Sequence, residues 1–112
     1  MTDKIVVLVT CRSSREARKI ARALVEQRLA ACANILENPV TSIYRWKRAV
    51  ESAREFLVII KTTRRRFAAL RRAVERLHSY DVPEIIALPI LEGSRGYLAW
   101  ISESIRDSAS GS

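Results

Sequence analysis

Apolar and polar positions divide the chain into a short series of elements. One unbroken apolar run is Phe56-Leu57-Val58-Ile59-Ile60, preceded by Glu55 and closed by Lys61-Thr62-Thr63. It is apolar at every position rather than at alternate ones. Side chains of a strand point to opposite faces in turn, so this strand is covered on both. Its β-branched residues, Val58, Ile59 and Ile60, favour a strand over a buried helical segment. The threonines are helix-capping residues, so the strand feeds a helix that starts at Thr63.

Ile5-Val6-Val7-Leu8-Val9 repeats the unbroken pattern. Ser13 and Glu16 then form a capping box, and Ala17, Ile20, Ala21, Leu24 and Val25 follow at helical spacing to about Leu29 or Ala30. An extended region runs from Cys32 to Trp46, with a bend at Glu37-Asn38-Pro39, because proline cannot donate a ladder bond. Lys47-Arg48-Ala49-Val50 is the hairpin turn, although it holds no glycine or asparagine. Phe67, Leu70, Ala73, Val74 and Leu77 make the inner face of the second helix. Residues 84–91 form the fourth strand, where Pro89 marks an edge. Leu98, Ile101 and Ile105 lie on a third helix.

This order predicts an α+β fold, a ferredoxin-like βαββαβ sandwich with an extra C-terminal helix. Right-handed crossovers put the first and third strands in the middle of the sheet. One domain spans 1–107, and 108–112 is a tail expected to fray. Two helices cover one face of the sheet, yet the first, third and fourth strands carry apolar residues on both. Left bare, the second face would be a larger apolar patch than a soluble monomer carries. Burying it between copies gains roughly 25 cal/mol per Å² before association costs. The expectation is a homo-oligomer joined through open sheet faces. The 40–55 hairpin then reaches a neighbour, with Tyr44 and Trp46 as interface anchors.

Composition adds little to this and removes some options. No apolar run approaches the ~20 residues of a membrane span. The start of the chain lacks the features of a signal peptide. Cys11 and Cys32 are read as reduced thiols, which places the protein in the cytoplasm. The net charge of +8 comes mostly from arginines opposite the apolar stripes of two helices, so it implies no nucleic-acid partner.

Five segments occur in an order that resembles the CutA divalent-ion tolerance proteins. They are Leu29-Ala30-Ala31-Cys32-Ala33-Asn34, Ser42-Ile43-Tyr44-Arg45-Trp46, Glu55 with Ile60-Lys61-Thr62-Thr63, Tyr80 with Val82-Pro83-Glu84-Ile85-Ile86, and Tyr97-Leu98 with Trp100. The resemblance implies a ferredoxin-like homotrimer linked to copper tolerance. The architecture is also similar to that of PII signalling proteins, whose trimers bind small ligands between subunits. This chain departs from the family pattern at Arg48, where glycine is usual, at Ser79, where proline is common, and at Asp81, where glutamate is common. Copper-ligand positions proposed within the family fall here on Val9, Leu77 and His78, so only His78 matches. Cys11 lies two residues beyond Val9, on the same side of the strand.

Cys11 and His78 are therefore the metal-ligand candidates, for copper or another divalent cation. A helix N-terminus with Arg12 and Arg15 would lower the Cys11 pKa; the alternative is an inert, partly buried thiol. His78 can equally serve as a cation at a helix C-terminus. Arg12, Lys61, Tyr80 and Glu84, with a neighbour's Trp46, could form a cleft for a small anion, a nucleotide or a metal complex. Lys61 and Glu84 could instead pair across a subunit interface. Cys11 and His78 lack an evident third group, so the chain is not read as an enzyme and no cofactor is required.

Overall fold

The computed structural model describes residues 2–106; the tail at 108–112 lies outside them. The elements are β1 (Lys4–Cys11), α1 (Ser14–Glu26), β2 (Cys32–Ile35), β3 (Val40–Trp46), β4 (Ala49–Thr63), α2 (Phe67–Leu77), β5 (Ile85–Pro89) and α3 (Arg95–Ser104). All strand pairs are antiparallel, in the order β2-β4-β1-β5. The two unbroken apolar strands, β1 and β4, are central, as crossover handedness requires. β3 pairs with the first half of β4 and β2 with the second, so the predicted extended region is two strands split at 36–39.

Strand alternation sorts the core. Ile5, Val7, Val9, Val58 and Ile60 face the helices, where they meet Ile20, Leu24, Leu70 and Val74. All of these are at most 4% exposed. The opposite face carries Val6, Leu8, Leu57 and Ile59, which are half-buried, with Ile86 and Leu88 exposed on the edge strand β5. Register aligns these residues in rows: Ile86, Leu8 and Ile59 form one, and Leu88, Val6 and Lys61 the next. The bare apolar face expected from the sequence is present.

α3 covers only one end of that face. Ile101 and Ile105 pack on Ala31, and Tyr97 Oη lies 3.6 Å from Cys32 Sγ. Two arginines bond the carbonyls at its C-terminus: Arg66 donates to Ile105 O at 2.7 Å and Arg28 to Ser104 O at 3.2 Å. Cations suit that end of a helix dipole.

Three boundaries differ from expectation. α1 stops at Glu26, before Leu29, because Arg28 takes a left-handed conformation at φ 59°. The carbonyl of Leu29 then accepts from the buried Thr62 hydroxyl at 2.7 Å, so this bend is tied to the sheet. Thr63 does not open α2 directly; a single 3₁₀ turn, Arg64–Arg66, comes between. The hairpin closes in two residues, Lys47 and Arg48, with Trp46 paired to Ala49. Both have positive φ, 48° and 72°, the signature of a type I′ turn.

Candidate metal centre and acidic cleft

Cys11 ends β1 on its helix-facing side and is fully buried. His78 terminates α2 directly above it. Glu16, in the first turn of α1, completes the group. One donor atom from each of these three residues lies within 4.8 Å of the other two. The α1 N-cap forms as predicted, Ser13 Oγ accepting from the Glu16 amide at 3.1 Å. The Glu16 side chain does not return to close a capping box. Its Oε2 accepts the Ser79 amide at 2.9 Å, across to the end of α2. Its Oε1 is buried without a hydrogen-bond partner.

Hydrogen bonds fix the imidazole. The Tyr80 backbone N–H donates to His78 Nδ1 at 3.1 Å, so Nδ1 carries a lone pair. Nε2 therefore bears the proton and donates to Thr10 O at 2.8 Å. The carbonyl on Nε2 orients the ring, as in metal-ligating histidines, and an ion at Nδ1 would take the lone pair that the Tyr80 amide now holds.

The Cys11 thiol reverses the expectation of an activated thiolate. Burial pushes it up to about 12, and the carboxylates of Glu16 and Glu55 add to the rise. Arg12 is exposed and does not offset the burial and the nearby carboxylates. With the thiol protonated and inaccessible, Cys11 is not a nucleophile. The donor set of sulfur, nitrogen and carboxylate oxygen nevertheless suits a borderline divalent cation. The Glu16 carboxylate, with one buried oxygen unpartnered, has acceptor capacity left for such an ion.

The second feature is a cleft of about 480 Å³ at the base of the hairpin, lined by Tyr44, Trp46, Glu55, Tyr80, Asp81 and Glu84, among others. Tyr44, Trp46 and Glu55 share one face of the β3–β4 ladder by register. Tyr80 Oη donates to Glu55 Oε2 at 2.8 Å, which joins the hairpin to the loop after α2. Burial and the Glu55 carboxylate raise the Tyr80 pKa.

This cleft corrects the predicted anion site. Tyr80, Glu84 and Trp46 come together within one chain. Arg12 and Lys61 are not among the lining residues. Lys61 instead bonds Asn34 Oδ1 on the open sheet face. Neither Lys61 nor Glu84 enters an ion pair among the described residues. The sign of the cleft is thus negative. Glu55 and Asp81 are the residues that sequence reasoning missed here.

Comparison with known proteins decides the family. The model of the CutA1 divalent ion tolerance protein family matches residues 5–104. This chain belongs to the CutA divalent-ion tolerance family. The divalent-cation tolerance protein CutA of Thermus thermophilus is 54% identical over 99 residues, covering 88% of this chain and 95% of that one. Human protein CutA is 46% identical, and the match covers 89% of this chain but 57% of the human protein. Among solved structures, the divalent cation tolerance protein of Thermus thermophilus superposes with a TM-score of 0.88 at 52% identity, covering 90% of this chain and 97% of that one. The periplasmic divalent cation tolerance protein CutA of Archaeoglobus fulgidus gives 0.89 at 40%, covering 92% and 99%. The CutA-type resemblance read from five short segments is therefore correct, as is the ferredoxin-like architecture.

Proposed function

We propose that this CutA-family chain acts in divalent-cation tolerance as a homotrimer that takes up a borderline cation, Cu(II) or Zn(II), at Cys11, Glu16 and His78. One observation carries the site: Cys11, Glu16 and His78 each bring a donor atom within 4.8 Å of the other two, beside a Glu16 carboxylate whose Oε1 is buried without a partner. Three protein donors leave a further position for water or an exchanging ligand, which suits reversible uptake. Uptake replaces the thiol proton, so affinity rises with pH up to the thiol pKa. The trimer reading rests on the uncovered apolar sheet face. The role is binding rather than catalysis, because without an ion the thiol is held protonated by burial and the neighbouring carboxylates. Two free cysteines support a cytoplasmic location; among the described residues no helix is long and apolar enough to cross a membrane.

Equilibrium dialysis with Cu(II) and Zn(II) tests the site. The wild type binds one ion per chain with release of a proton; Cys11→Ser and Glu16→Gln each weaken binding at least tenfold. Binding that is unchanged in both variants removes the triad from the account.

A further inference from the structure

The cleft at the base of the hairpin has a composition at odds with the rest of the molecule. The chain carries a net charge of +8. Yet Glu55, Asp81 and Glu84 line this cavity with no lysine, arginine or histidine among its lining residues. Among the described residues none of the three carboxylates is paired with a cation. Glu55 is 8% exposed, and it accepts its hydrogen bond from the neutral Tyr80 hydroxyl. A desolvated carboxylate without a counter-ion is costly. The other walls are the rings of Tyr44, Trp46 and Tyr80, with Val82 and Pro83 closing the apolar side; the Lys47 ammonium stands 5.8 Å from the Trp46 ring centroid, a contact with which an entering cation would compete.

Aromatic faces present negative potential, and carboxylates add full charge. Together they select a cation that is bulky and weakly hydrated, since a small hydrated metal ion gains nothing from apolar walls. We propose that this cleft binds a free organic cation, a small alkylammonium or guanidinium compound, held against Trp46 and Tyr80 with Glu55 and Glu84 as counter-charges. The site borders the metal centre, the Tyr80 ring lying 4.7 Å from that of His78, but it takes no donor from Cys11, Glu16 or His78, none of which is among its lining residues. It would therefore stand if that reading fell.

Trp46 reports on the cleft directly. In a Trp100→Phe background its fluorescence is followed while tetramethylammonium, butylammonium or methylguanidinium chloride is added at constant ionic strength. Neopentyl alcohol is the neutral counterpart of similar shape. The expected result is a saturable change with each organic cation and at least tenfold weaker binding of the alcohol. Glu84→Gln with Asp81→Asn, both at exposed positions, should weaken the cations at least tenfold and leave the alcohol unchanged. Cys11→Ser should keep the full response. No saturable response in the wild-type assembly overturns the proposal, as it would if a lysine or arginine of a second copy filled the cleft. Equal binding of the alcohol, or a response lost with Cys11→Ser, overturns it as well.

Discussion

At the scale of single residues, the chemistry follows from burial more than from neighbouring charge. Cys11 has an arginine beside it in sequence, but the folded chain surrounds its sulfur with apolar atoms and two carboxylates. Its pKa is raised from an ordinary 9.0 to about 12. The unfolded chain therefore loses this proton first. Between pH 9 and 12 it binds fewer protons than the folded chain, so stability falls as pH rises through that window. Tyr80, raised from an ordinary 10.0, adds to the fall above that pH. Denaturant titrations at stepped alkaline pH should show Cys11→Ala with a shallower decline than wild type, beginning later. An identical slope would mean that the thiol ionises alike in both states. Glu16 shows why this site was only half legible in the sequence. Ser13-x-x-Glu16 reads as a local cap, and the amide that its carboxylate actually accepts from, Ser79, lies 63 positions away. No local pattern encodes such a bond.

At the scale of elements, period and composition foretold most of the fold. The unbroken apolar runs in β1 and β4 identified the central strands, and helical spacing located both packed helices. The errors fall at ends, where the deciding interaction is distant or needs an uncommon backbone conformation. α1 ends early where Arg28 turns left-handed, and Thr62, on another strand, ties down the bend through the Leu29 carbonyl. The hairpin turn was placed but not its type, since neither Lys47 nor Arg48 advertises positive φ. That turn carries strain that glycine avoids. Replacing Arg48 with glycine should stabilise the protein by about 1 kcal/mol, seen as a higher thermal midpoint at fixed protein concentration. A lower midpoint would show that loss of the arginine side chain outweighs the relief.

At the scale of the whole molecule, the sheet leaves an apolar surface that the chain cannot cover. α3 shields one end, while Ile86 and Leu88 remain 48% and 49% exposed on β5. A double change, Ile86→Glu with Leu88→Glu, adds two charges to this face without touching the helix-side core. Sedimentation velocity should show a trimer for the wild type and a folded single subunit for the variant at micromolar concentration. A variant that still sediments as a trimer would move the contact to another surface.

The molecule measures 50 × 27 × 24 Å, and its radius of gyration, 14.8 Å, exceeds the about 13 Å of a compact chain this long. The cause is β4. Its 15 residues run from the hairpin tip into the middle of the sheet, roughly 50 Å at the usual strand rise. Arm and body are thus one continuous beam, with no linker at which they could pivot. A force applied at Trp46 reaches Ile60 along hydrogen-bonded backbone, so whatever grips the tip of the arm steers the entire subunit.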